Sequence, residues 1–514
     1  MAYNTNTYFI IFLPIAMLLY QVLPKRYRWV GLLASSVTFF MLISQTLIYW
    51  AVITTAVAYG AAIGIVSIHN SDKKILKKKK KRVMLTAVVS VVGILAVLKY
   101  TAFTLDIISQ VLTQLGHETT FTMGEILVPI GISFYTLQAV GYILDVYWKR
   151  IEAERNFAKL FLFMIFFPTL MEGPICRYSD TKDQLFEGNP ITADSIVQGA
   201  IRIGWGLFKR MIIADRLNPV VNNFYRVNTN FTGVMIVICA LFTTVQLYME
   251  FSGTIDIVIG SARIFNVKLP ENFRQPFFAK SAAEFWRRWH IYLGVWFKNY
   301  IFYPVTTSKL MKKWNKYGRK HMGKYITMVV TSAIALFPVW MLNGLWHGPK
   351  IPYIMYGVYY FVILLLEVAL EPLGEKFYKI VHLRTDGRIV TGIRIVRTWF
   401  IILLGEMLFR AETLEQFVRM CSNTFAGKFV EMGMFTELFN MGIGRGDALI
   451  IGIASAIVFW MDYRLEKCPE TFEMIPSMTR PKRWAVYYLL IFAIIIFGAY
   501  GAGYEPADLI YAGF

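Results

Sequence analysis

The stretch YITMVVTSAIALFPVWMLNGLWHG, residues 325–348, decides the fold class. From Tyr325 to Trp346 it carries no charged side chain, and its first basic or acidic group is His347. About 20 apolar residues wound as a helix are enough to cross the hydrocarbon of a bilayer. Similar runs lie near 8–23, 29–46, 47–68, 83–104, 126–147, 157–172, 196–214, 232–249, 351–371, 393–409, 447–461 and 484–503. Of the 514 residues 56% are hydrophobic and 17% charged, against about 25% charged in soluble domains. Soluble cores could not bury that much apolar surface, whereas lipid can solvate it. The runs do not alternate apolar with polar residues as the strands of a membrane barrel do. An all-α integral membrane protein follows, read as one membrane domain over 1–514 with no obvious repeat and no separate soluble domain.

The charges fit this reading. The net charge of +20 is spread between the apolar runs, where basic residues fix orientation at an anionic cytoplasmic face; this placement argues against nucleic acid as a partner. The first run has no basic residue before it, and Lys25, Arg26 and Arg28 follow it, the reverse of a secretory signal. That order predicts an N-terminus outside and the 24–29 loop in the cytoplasm. Two crossings on, KKILKKKKKR (73–82) is inside by the same count, and Lys149, Arg150 and Arg155 follow after two more. The 104–125 loop between them, with Asp106, Glu118 and Glu125, reads as outside. Placing the basic loops 309–324, 376–397 and 464–483 inside leaves the 501–514 tail outside. The segment 252–303 shows no clear crossing.

The chemistry-bearing residues are few. Cys176, Cys239, Cys421 and Cys468 are too scattered for a disulfide framework or a zinc site. The stretch EFWRRWHIYLGVWFKNYIFYP (284–304), written as one helix, puts Phe285, Trp289, Tyr292, Trp296 and Phe297 on a broad aromatic face, suited to the membrane interface. His290 lies within it and, taken alone, reads as a hydrogen-bonded packing residue. His347 is different: an ionisable group at membrane depth is a functional candidate. Glycines on either side, in NGLWHG (343–348), allow close backbone approach. Imidazole, with an ordinary pKa near 6.5, needs little tuning to serve as a general base. No HExxH zinc motif, nucleophile elbow or phosphate-binding loop is present. An alcohol acceptor and a thioester donor need none of these, only a base in a dry channel that orients both.

EFWRRWH (284–290) and NGLWHG (343–348), with PIGISFYTLQAVGYILDVY (129–147), FFPTLMEGPICRY (166–178) and MEFSGTIDIVIG (249–260), resemble the membrane-bound O-acyltransferases in order and content. The resemblance covers nearly the whole chain. It is to the branch with the alginate O-acetylation membrane subunit and the D-alanyl-lipoteichoic-acid transferase. It implies 11–13 tilted or re-entrant helices in a ring around a thinned core with a through-membrane tunnel. His347 would be the catalytic base and His290 a second active-site residue of open role. Asn343, Trp346, Trp289, Arg288, Arg177, Gln138 and Tyr135 would be tunnel residues, Asp145 and Pro174 lying in the same motifs; no metal is implied. The family's FDFSGYSD-like segment reads MEFSGTIDI here, with Glu250 in place of Asp, which bears on substrate more than on reaction type. The terminal LIYAGF (509–514) looks like a tail signature of this branch, making Tyr511 a candidate covalent acyl carrier.

The expected activity is transfer of an acyl group, acetyl above all, from a cytoplasmic thioester such as acetyl-coenzyme A to a cell-surface or secreted polysaccharide. An extracytoplasmic acyltransferase of the SGNH-hydrolase type would complete it, and the location would be the bacterial cytoplasmic membrane. One alternative is D-alanyl transfer to teichoic acid from an acyl carrier protein. The alternative from another class, a transporter or flippase, should show inverted repeats with broken helices in both halves, which the sequence does not.

Overall fold

The computed structural model describes residues 3, 5–117, 127–226, 231–382, 384, 387–426, 429–430, 433–472 and 474–500. Among these residues there is no strand, and most of them are helical. Six helical stretches among the described residues are long and apolar enough to cross a membrane: Lys25–Ser67, Lys73–Gln114, Val234–Ile264, Gly323–His347, Ile351–Ile380 and Arg445–Lys467. Their outward residues are apolar, as with Ile326, Phe337 and Leu342 on one helix and Val89, Val92 and Val97 on another. Water would penalise that surface and acyl chains do not. The tail from 501 onward, including Tyr511, lies outside the described residues.

The chain forms two compact units, one from Met1–Ile203 with Thr254–Pro270, the other from Gly204–Gly253 with Glu271–Ala507. The first begins with α1 (Leu13–Val22), α2 (Arg28–Ser44) and α3 (Ile48–Ser67). Gln45, at φ 48°, makes the break between α2 and α3. α4 (Lys73–Gln114) is longer than the expected 83–104 span, because the basic run 73–82 is itself helical. Asp72 caps it by accepting from the Lys74 and Ile75 amides, and lysine is a good helix former once its charge is in water. α5 (Ile132–Tyr147) packs against α3 and α4 and has fourteen of sixteen residues buried; it is a core helix. Gly131, at φ 83°, starts it, and a β-carbon there would come 2.3 Å from the Leu170 carbonyl oxygen, so the turn admits glycine alone. α6 (Phe157–Ile165), α7 (Tyr178–Glu187) and α8 (Ala193–Leu207) complete this part of the chain.

The second unit holds a π-helical stretch, Phe208–Ala214, then α9 (Asp215–Arg226) and the first part of α10 (Val234–Ile264). The short helices α11 (Ala282–Arg288), α12 (Ile291–Phe297) and α13 (Tyr303–Thr306) follow, then the lysine-rich α14 (Lys309–His321). α15 (Gly323–His347) and α16 (Ile351–Ile380) form the tightest helix pair in the unit. A β-carbon on Gly344 would lie 2.4 Å from the Tyr353 carbonyl oxygen, and one on Gly357 2.4 Å from that of Trp340. Small residues at a membrane helix contact let backbones approach in this way. α17 (Arg388–Arg410) packs on α16, and α18 (Leu414–Asn423), α19 (Met434–Asn440), α20 (Arg445–Lys467) and α21 (Arg480–Phe497) end the described chain.

Candidate active site

His347 occupies the last turn of α15 and is 6% exposed. Gly348, at φ 150° and ψ 173°, stops the helix, and Pro352 opens α16. The close Gly344–Gly357 contact brings α16 side chains onto the imidazole: its ring lies 5.9 Å from that of Tyr356 and 6.2 Å from that of Tyr353. α17 supplies Phe409, edge-on at 4.9 Å, and Trp346 is 5.1 Å away. The base candidate therefore sits in an aromatic, water-poor setting, where electrostatic interactions are stronger than in water.

His290 does not lie in a continuous helix. The expected aromatic helix over 284–304 is broken, α11 ending at Arg288 and α12 starting at Ile291, with His290 between them at φ 45° and ψ 51°. Pairing with an upstream segment causes the break. The Arg274 amide donates to the Arg288 carbonyl at 2.9 Å, and the Ile291 amide to that of Asn272 at 2.9 Å. Phe285, Trp289, Trp296 and Phe297 consequently turn into protein, each buried, instead of forming an interfacial face. Burial disfavours the imidazolium and pushes the His290 pKa down to about 3.

Two contacts seat this loop beside α15. Both carboxylate oxygens of Glu367, on α16, accept from the first amides of α11, Ala282 at 2.8 Å and Ala283 at 3.0 Å, a cap that also suits the positive end of the helix dipole. Trp286 then packs 4.9 Å from Trp340 and 4.8 Å from Tyr360. The outcome is that the His290 ring lies 5.7 Å from Trp346, which touches His347. Asn343, buried one turn before His347, belongs to the same helix end.

The other sequence candidates make the following contacts. Arg288 bonds Glu284 at 2.7 Å and Glu466 at 2.7 Å and 2.9 Å, tying α11 to α20. For Glu284, burial would raise the pKa, but the Lys280 amide and Arg288 outweigh it and hold the carboxyl below its ordinary value. Trp289 packs on Phe285 and Phe273, ring centroids 5.4 Å and 5.1 Å away. Tyr135, Gln138 and Arg177 belong to the other unit. Tyr135 and Gln138 are core residues of α5, Asp145 pairs with Arg150 at 3.1 Å, and Arg177 pairs with Asp180 at 3.2 Å. Glu250 is buried against Arg210 at 2.6 Å, with Lys209 on Ser252 at 2.9 Å and Tyr248 on Asp462 at 2.7 Å. The departure at Glu250 is thus tied to a buried salt bridge with Arg210, which lies on a π-helical turn of the kind often found near functional sites.

The sequence reading missed Asn272, Tyr356, Phe409 and Glu406. The last is 1% exposed and neither of its carboxylate oxygens meets a hydrogen-bond donor among the described residues. As a lone acid in an apolar run it carried the same signal as His347. Asn272, in the loop sequence PENFRQPF, carried none. No group of three His, Cys, Asp or Glu among the described residues is placed to hold a metal ion.

The fold and the site define a helical protein of the membrane-spanning kind, with two histidines buried around one tryptophan. The model of the membrane-bound O-acyltransferase family matches residues 152–317. The probable alginate O-acetylase AlgI of Pseudomonas syringae pv. tomato is 32% identical over 428 residues, 83% of this chain and 75% of that protein. The peptidoglycan O-acetyltransferase of Helicobacter pylori is 26% identical over 442 residues, 80% and 77% of the two chains. The teichoic acid D-alanyltransferase of Bacillus subtilis is 28% identical over 284 residues, 54% and 68%. The chain belongs to the membrane-bound O-acyltransferase family. It is a multi-pass membrane O-acyltransferase, and its family membership implies an acyl donor.

Proposed function

We propose that this enzyme takes an acetyl group from a cytoplasmic thioester, acetyl-coenzyme A, and delivers it for O-acetylation of a polysaccharide outside the bacterial cytoplasmic membrane, with His347 as general base. The observation that carries the assignment of the base is the buried His290–Trp346–His347 arrangement, in a chain about 30% identical to O-acetylases over most of its length. In the reaction His347 takes the proton of an acceptor hydroxyl as its oxygen attacks the thioester carbonyl. The carbon–sulfur bond breaks and the departing thiolate recovers that proton. Burial of the site excludes water, which would otherwise hydrolyse the thioester.

Acceptor and partner follow from the tail reading: Tyr511 carries the acyl group outside as an ester, and an SGNH-hydrolase-type acyltransferase moves it to the polymer. Transfer of D-alanine from a carrier protein is the second reading, favoured by the Bacillus subtilis relative. The test compares ester-linked acyl groups of envelope and secreted glycan in cells making equal amounts of wild type and His347→Ala. A loss of roughly 100-fold or more, the scale of a missing general base, is expected, and the ester that disappears names the acyl group. Unchanged ester would remove His347 from the chemistry. Tyr511→Phe is expected to abolish the same ester, and normal acylation in that variant would exclude the carrier role.

A further inference from the structure

We propose that Asn272 is a positioning residue that sets which nitrogen of His290 bears hydrogen, so that His290 acts as a hydrogen-bond donor through Nε2 to the acyl carbonyl oxygen. The inference rests on the acyl-transfer reading above and divides the labour between the two histidines.

Asn272 is fully buried and grips the break between α11 and α12 at three points. Its carbonyl accepts from the Ile291 amide at 2.9 Å. Its side-chain oxygen accepts from the Tyr292 amide at 3.0 Å. Its amide group also lies against His290 Nδ1, with Nδ2 at 3.2 Å and Oδ1 at 3.3 Å. Those last two distances alone leave the partner open, and the Tyr292 contact fixes which end of the amide is the oxygen. A backbone N–H can only donate, so the atom facing Tyr292 is the oxygen; the flipped amide would set donor against donor. Nδ2, at 3.2 Å the nearer of the two to Nδ1, is then assigned as the partner of the imidazole. It can only donate, so Nδ1 accepts.

A neutral imidazole has one hydrogen, and burial keeps this one neutral. With Nδ1 accepting, the hydrogen is on Nε2. The backbone supports the same placement. His290 holds φ 45° and ψ 51°, a left-handed conformation uncommon outside glycine and enriched in Asn, Asp and His. The amides of the next two residues are pinned to Asn272, and the His290 carbonyl accepts from Gly294 at 3.2 Å. The ring is confined between Phe251, perpendicular at 5.0 Å, and Trp346 at 5.7 Å.

A ring held in this tautomer cannot take a proton through Nδ1 and offers Nε2–H as a donor. As the acceptor oxygen attacks, the thioester carbonyl oxygen gains negative charge, and Nε2–H stabilises it without giving up its proton. That proton remains on His290 when the carbon–sulfur bond breaks; the hydroxyl proton passes by way of His347 to the leaving thiolate. A preplaced donor of this kind is worth roughly 100-fold or more in rate.

The experiment measures initial rates of ester formation on the envelope of cells expressing the full chain, normalised to protein level. His290→Gln keeps an N–H near the Nε2 position and is expected to stay within about tenfold of wild type, while His290→Leu falls roughly 100-fold. Asn272→Asp still accepts from Tyr292 but presents only an acceptor to Nδ1, drawing the ring hydrogen off Nε2. It is expected to lower the wild-type rate about tenfold or more, on the same scale, yet to change little in the His290→Gln background. A His290→Gln variant as slow as His290→Leu would overturn the donor role. Equal losses from Asn272→Asp in both backgrounds would reduce Asn272 to backbone support. Loss in His347→Ala with either result leaves the acyl-transfer reading standing; absence of any ester from wild-type cells would take both down.

Discussion

His347 and His290 share a side chain and differ in everything that surrounds it. His347 ends a helix and meets Trp346, Tyr353, Tyr356 and Phe409. His290 bridges two short helices in a left-handed conformation, its Nδ1 against Asn272. Burial lowers its pKa to about 3, below the ordinary 6.5 or so of the unfolded chain. Between those values the unfolded chain binds a proton that the folded chain refuses, so His290 favours folding fully above about pH 6.5, and that advantage drains away as pH falls toward 3. Replacing it with glutamine removes this titration. The melting temperature of purified His290→Gln is therefore expected to gain on that of wild type as pH is lowered from 7 to 4. Parallel pH profiles for the two proteins would show that His290 does not stay neutral in the fold.

At the scale of elements, the site depends on how closely α15 and α16 approach. Gly344 sits three residues before His347, and its missing β-carbon is what allows the Tyr353 carbonyl to come in. Gly344→Ala must part the helices or bend them, an overpacking effect of about 1–3 kcal/mol. It is expected to lower the melting temperature in detergent and, by shifting Tyr353 and Tyr356 away from His347, to slow acyl transfer more than the stability loss explains. A variant with wild-type melting and rate would show that the pair has slack. The Arg210–Glu250 contact belongs to this scale as well. Breaking one partner of a buried pair typically costs about 3–5 kcal/mol, which ties the Glu250 carboxylate to the stability of the fold.

For the whole molecule, apolar surface and charge placement act together. The outward faces of the long helices are apolar, while the lysines at the start of α4 are exposed. Bringing that basic run into the cytoplasm satisfies both the hydrocarbon and the anionic leaflet. With Lys78→Cys in a chain whose other cysteines are replaced, an impermeant maleimide is expected to label inverted vesicles and spare intact cells. Labelling in intact cells would reverse the orientation, and with it the side assigned to the thioester donor.

The amino-acid order by itself settled the solvent, and its motifs pointed to the reaction class through their resemblance to a family. Long apolar runs leave no choice but lipid, because soluble packing cannot hide them, and LWHG at the end of such a run marks an ionisable group at membrane depth. EFWRRWH was equally legible as a motif, yet its conformation was not. Local propensity favours one continuous helix, and the break at His290 comes from hydrogen bonds to Asn272 and Arg274, residues sixteen to eighteen positions upstream. Whether the motifs around Tyr135 and Arg177 face lipid or protein could not be read from pattern alone, since a fully buried helix and a lipid-facing one are both apolar. Packing made α5 a core helix, and it brought Phe409 and Asn272 to the histidines and Glu367 to the start of α11 from separate stretches of chain. Periodicity records how a residue meets its neighbours along the chain; long-range hydrogen bonds and ring contacts form between segments whose spacing carries no trace of them.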